Sequence, residues 1–100
     1  MFIKKYLDDI KCKLLFDVYD LDYIYSLDEE NFCKIYNLFK MYDFYFIDDI
    51  VLNYLEIFEY DYNFVYNKLM SLIGKLGEKY TYIIGNDLRC LDVILEKNSN

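Results

Sequence analysis

Three carboxylate pairs, Asp8/Asp9, Asp48/Asp49 and Glu56/Glu59, are the residues of this sequence whose type and spacing come nearest to chemistry. Paired acids can hold a divalent cation or work as general acid and base, and a metal-dependent nuclease would draw on Asp48, Glu56 and Glu59. Adjacent acids on a helix diverge by about 100°, which separates Asp48 from Asp49. Glu56 and Glu59, at i and i+3, share a face that a solvated helix explains more simply. The chain has no histidine, so neither a Ser-His nor a Cys-His nucleophile can be assembled. Ser26, Ser71 and Ser99 each have a structural explanation, and Gly74, Gly77 and Gly85 fit neither a P-loop nor a dinucleotide fingerprint. Cys12, Cys33 and Cys90 are far apart and form no CxxC pair. They read as small buried hydrophobes in a reducing cytoplasm rather than as zinc ligands. The expectation is a non-enzymatic protein with no metal and no cofactor.

The elements that must carry these residues are helical by pattern. Hydrophobic residues make up 56% of the 100 and aromatics 21%, which excludes a flexible acidic tail. Proline is absent and glycine occurs three times, a composition suited to short helix–helix turns. A first helix is predicted over residues 2–18, with Ile3, Tyr6, Leu7, Ile10, Leu14 and Val18 at helical spacing. Residues 20–25 are open between helix, loop and a short extended segment. Ser26 with Glu29 three residues on reads as a capping box for a second helix over 27–41. Asp43 is the expected break. A third helix is predicted over 46–58 and a fourth over 62–76, with Asp61 at its N-cap and Gly77 past its end. Gly74 reads as an early stop or a close helix contact. Residues 80–84 are open between strand and helix, and Asn86 or Asp87 caps a last helix. The expected fold class is an all-α bundle of four to five helices. It is a single domain over 1–97 with a frayed tail at 98–100, and at most a minor strand pair of 23–25 with 80–84. Ile10, Leu14, Ile35, Phe39, Ile50, Val51, Leu69, Leu72, Leu91 and Ile94 are the expected core.

The stretch DDIVLNYLEIFEYDYNFVYNKLMSLIGKLGEKY, residues 48–80, resembles one repeat of the mitochondrial transcription terminator family. Leu76-Gly77 stands where those repeats carry a leucine-glycine after a long helix. Leu55 stands where the family often has a proline. The resemblance covers a third of the chain, is single rather than tandem, and lacks the basic surface that gripping nucleic acid requires. It implies a helix–turn–helix rhythm and not membership.

Charge gives the sharper clue. The net charge is −7, and residues 17–61 alone carry twelve carboxylates against Lys34 and Lys40. The flanking segments are close to neutral. Such a middle repels nucleic acid and attracts basic protein surfaces. The run FDVYDLDYIYSLDEE, residues 16–30, interleaves Tyr19, Tyr23 and Tyr25 with six acids and no cation. The candidate partner-binding set is Asp17, Asp20, Asp22, Tyr23, Tyr25, Asp28, Glu29, Glu30, Asp43, Asp48, Asp49, Glu56, Glu59 and Asp61. Carboxylates in such a set meet lysine and arginine, and tyrosines anchor. The abundance of Ile, Asn, Lys, Tyr, Phe and Asp, with no Ala or Pro and one arginine, suggests an AT-rich genome. Small size, acidity and absent chemistry together resemble, in general style, phage or mobile-element inhibitors such as anti-CRISPR and anti-restriction proteins. The expected partner is therefore the basic, nucleic-acid-binding surface of a host protein in the cytoplasm, with no membrane and no direct nucleic-acid contact. The alternative is a structural or regulatory helical subunit that homodimerises through a tyrosine-rich face.

Overall fold

A computed structural model describes residues 1–95, and all of its regular structure is helical. Seven α-helices occur among the described residues: α1 (Asp9–Val18), α2 (Leu21–Ser26), α3 (Glu29–Met41), α4 (Ile47–Asn53), α5 (Tyr62–Leu76), α6 (Tyr80–Asn86) and α7 (Asp92–Leu95). Short 3-10 turns cover Phe2–Lys5, Leu55–Glu59, Gly77–Lys79 and Leu88–Leu91. The all-α class stands, with more and shorter helices than the four to five expected. The expected domain limit at 97 and the tail at 98–100 lie outside the described residues.

Side-chain caps set where the three longest helices, α1, α3 and α5, begin. Asp8 is extended and accepts a hydrogen bond from the Lys11 N–H at 2.8 Å, so α1 starts afresh there and the predicted helix over 2–18 is split. The restart changes the buried phase. Ile3 and Leu7 are buried before it, and Cys12 and Leu15 after it. Ile10 and Leu14, expected in the core, are 73% and 51% exposed, and Val18 is exposed with them. Asp28, not Ser26, caps α3 by accepting from the Asn31 N–H at 2.9 Å. Ser26 instead closes α2, its hydroxyl donating to the Tyr23 carbonyl at 2.6 Å. The Ser26–Glu29 capping box therefore does not form. Asp43 adopts φ 66°, a left-handed turn that aspartate tolerates, and ends α3.

The predicted helix over 46–58 breaks at Tyr54, whose φ of −136° leaves the helical region. Its ring is buried and its hydroxyl donates to Asp92 Oδ1 at 2.6 Å, tying the break to α7. Asp61 caps α5, and Gly77 ends it at φ 79°. Gly74 is exposed with open space around it, so it marks neither a stop nor a close contact. Residues 23–25 and 80–84, offered as a strand pair, both lie in helices. Tyrosine and isoleucine favour strands only where a paired, half-buried sheet surface exists, and here neighbouring helices supply the packing.

The core is aliphatic and phenylalanine-rich. Phe32, Phe39, Phe44 and Phe58 are all fully buried. Phe32 stacks on Phe58 at 4.7 Å between centroids, and Phe39 meets Phe44 edge-on at 5.2 Å. Helix α3 thereby packs on both the 55–59 turn and α5, while α1 packs on α4. Cys12 is buried, whereas Cys33 and Cys90 are only half-buried, and all three are free thiols. The expectation of three buried cysteines thus holds for one.

The reversed phase of α1 is directly testable by paired truncation in dilute protein. Leu15→Ala removes a fully buried side chain and should cost about 2–5 kcal/mol in urea unfolding. Leu14→Ala should change stability by no more than about 0.5 kcal/mol, as an exposed site does. Equal losses at both positions would contradict the burial pattern.

Candidate functional site

The break after α4 creates the site. It frees the Leu55 N–H, which donates to the Tyr19 hydroxyl at 3.3 Å. The same hydroxyl donates to Glu56 Oε1 at 2.9 Å. Tyr23, four residues on and inside α2, donates its hydroxyl to Glu59 Oε2, and the two rings stack at 5.9 Å. Val18, Tyr19, Asp20, Tyr23, Glu56 and Glu59 thus line one open groove of about 440 Å³. Burial, then the bond to Glu56, pushes the Tyr19 phenol up to about 12. Burial and Glu59 likewise raise Tyr23. These phenols are therefore neutral donors at neutral pH, each fixing a carboxylate in place.

A second clamp holds the same turn from the other side. The Asn31 side-chain amide donates to the Phe58 carbonyl at 3.0 Å and the Tyr60 carbonyl at 2.9 Å. Its own backbone is held by Asp28. Residues 55–60 are therefore held between Tyr19 and Tyr23 on one side and Asn31 at the start of α3 on the other. Asp20, Asp22, Asp28, Glu30, Glu56, Glu59 and Asp61 lie in or beside these segments, and none is in an ion pair among the described residues. Tyr25 is also on α2 and is 65% exposed.

The remaining candidates lie elsewhere or are engaged. Glu29 pairs with Lys5 at 2.8 Å. Asp48 pairs with Lys11 at 2.7 Å, joining α4 to α1, while Asp49 is exposed. Asp43 sits at the left-handed turn after α3. Asp17 is exposed on α1. Among the described residues no group of three or more Cys, Asp or Glu side chains is disposed to hold a metal ion. Burial pushes the Cys12 thiol up, away from the thiolate form that a nucleophile needs. No helix among the described residues is long and apolar enough to cross a membrane.

Two residues central to this arrangement were not in the sequence-derived set. Tyr19 lay inside the acidic run four residues before Tyr23, but the chain is extended at Tyr19 and Asp20, so helical spacing is not what brings the two rings together. Asn31 carried no signal, because its partners are carbonyls 27 and 29 residues away. Most tyrosine rings are packed against the core, and the exposed ones, Tyr25, Tyr45, Tyr66 and Tyr82, are distributed over four different segments.

Comparison of the chain with family models, with curated proteins and with solved structures gave no match. The likeness of residues 48–80 to a terminator repeat therefore goes no further than its helical rhythm, in which Gly77 does close the long helix.

The tyrosine–carboxylate pairs predict an alkaline transition. Burial, then the bond to Glu56 or Asp92, raises Tyr19 and Tyr54 from 10.0 to about 12 in the folded chain. A raised folded value means that the stabilisation is complete below the unfolded value of about 10 and is lost as pH rises through about 12. Helicity and phenolate absorbance should change together in that window. Tyr19→Phe should destabilise at neutral pH by about 1–3 kcal/mol, because it strips a partner from Glu56 and from the Leu55 N–H. Phenolate formation that is complete near pH 10 with helicity intact would contradict these pairs.

Proposed function

We propose that this chain is a non-enzymatic protein-binding module that offers the acidic face of α2, the start of α3 and residues 55–61 to a basic surface on a partner. The observation that carries this reading is the groove that brings Asp20, Glu56 and Glu59 together, with Asp22, Asp28, Glu30 and Asp61 close by in the chain and none of the seven in an ion pair among the described residues. Two of them, Glu56 and Glu59, are held in fixed orientation by Tyr19 and Tyr23. Fixed acids lose little freedom on meeting lysine or arginine, which favours tight and selective binding. Tyr25 supplies an exposed ring beside them, the residue type that anchors interfaces.

The narrower form of the proposal is an inhibitor of phage or mobile-element type, in the style of anti-CRISPR or anti-restriction proteins. It would occupy a nucleic-acid-binding groove of a host protein and would not bind nucleic acid itself. The net charge of −7 and the AT-rich residue usage support this form. So does the single arginine, since clustered cations are what phosphate binding needs.

The test is competitive. The immobilised chain should capture a basic partner from its native cell, and duplex DNA or raised salt should release it. Asp20, Asp22 and Asp28 changed together to lysine should weaken the purified pair at least tenfold, mainly through a slower association rate. Tyr25→Ala should instead speed dissociation, at a cost of about 2 kcal/mol if the ring is an anchor. Affinity that ignores salt, DNA and charge reversal alike would remove the acidic face from the account.

A further inference from the structure

The groove beside the 55–59 turn is walled by more than acids. Its lining combines the carboxylates of Asp20, Glu56 and Glu59 with the rings of Tyr19 and Tyr23 and the side chain of Val18. The two rings stack with their planes 24° apart, and both are half-buried. Each phenol donates to one oxygen of a glutamate, Oε1 of Glu56 and Oε2 of Glu59. The other oxygen of each glutamate has no hydrogen-bond donor among the described residues. Glu56 is half-buried, yet no cation among the described residues pairs with it, with Glu59 or with Asp20.

These walls discriminate between cations. Two open carboxylate oxygens on separate side chains, beside aromatic and aliphatic surface, suit a flat and weakly hydrated cation with several fixed N–H donors. The guanidinium of arginine has those properties. Its face is attracted to a phenol ring, its edge can donate to two carboxylates at once, and its methylene stem can lie along Val18. The ammonium of lysine is a compact, strongly hydrated charge and gains less from such walls. A metal ion does not fit, since no group of three or more acids among the described residues is disposed to hold one.

We propose that this groove receives one arginine side chain of the partner, its guanidinium shared by Glu56 and Glu59 and lying against the rings of Tyr19 and Tyr23. The proposal rests on the acidic-face reading and narrows it. Asp22, Asp28, Glu30 and Asp61 attract any basic surface, whereas the groove distinguishes arginine from lysine. The phenols hold both glutamates in place before the arginine arrives, so little side-chain freedom is lost on binding.

Hexa-arginine and hexa-lysine, equal in length and charge, are the probes, titrated against the intact chain at low salt. Both should bind, hexa-arginine about fivefold or more tightly. In two-dimensional NMR the amide signals of residues 18–23 and Leu55–Glu59 should move with hexa-arginine. The variant E56Q/E59Q keeps a carbonyl acceptor for each phenol, and far-UV circular dichroism should show it folded. It should bring the two peptides to within about twofold of each other. Asp22→Asn with Glu30→Gln, outside the groove, should weaken both peptides and leave their ratio unchanged. Equal affinity for the two peptides, or an arginine preference that survives in folded E56Q/E59Q, would overturn the arginine site and leave the acidic face standing. Binding of neither peptide would overturn both.

Discussion

The contact of Phe32 with Phe58, and the Asn31 clamp beside it, is the constraint on which the rest of the molecule depends. Residues 55–59 form one tight 3-10 turn, too short to be stable alone. Stacking at 4.7 Å fixes one end of that turn to α3. The Asn31 side-chain amide donates hydrogen bonds to the Phe58 carbonyl in the turn and to the Tyr60 carbonyl just after it. Leu55, Ile57 and Phe58 are then buried, and Glu56 and Glu59 are left facing Tyr19 and Tyr23. Loss of the clamp would release the acidic groove and the N-terminus of α5 together.

Tyrosine is the residue that makes an acidic face compatible with a packed one. A ring can be half-buried only if its hydroxyl finds a partner, because an unsatisfied polar group in the interior costs about 1–3 kcal/mol. Tyr19, Tyr23 and Tyr54 each find a carboxylate. Tyr80 finds the Tyr42 carbonyl at 2.6 Å. No buried side-chain nitrogen or oxygen lacks a partner among the described residues. Each such acid therefore does two things: it satisfies a phenol on one side and keeps its charge towards solvent on the other. The acidity of the middle of the chain is in this sense partly structural, and the same fixed orientation is what suits it to a basic partner.

Helical class, the caps at Asp61 and Gly77, the break at Asp43 and most of the core from Ile35 to Ile94 were legible in the sequence. Those signals are local: spacing on one helix, or one residue's backbone preference. The errors arose where two local signals competed. Ser26 and Asp28 both qualify as N-caps, and the choice depends on where α2 ends, a matter of tertiary packing. Asp8 restarts α1 and moves the buried phase from Ile10 and Leu14 to Cys12 and Leu15. The break at Tyr54 was illegible because its partner, Asp92, is 38 residues away. In the candidate set, the acidic run pointed to α2 and the start of α3. It could not separate Asp48, paired with Lys11, from Glu56 and Glu59, which join the groove only because the helix breaks.

A hydrogen-exchange footprint of the chain, free and bound to its partner, tests most directly whether the acidic face built on this clamp is the binding surface. Slowed exchange in Leu21–Asn31 and in residues 55–62, with the rest of α5 and α6 unchanged, is the predicted result. Slowed exchange confined to Asn63–Asn86, with α2 and the 55–61 turn unaffected, would contradict it.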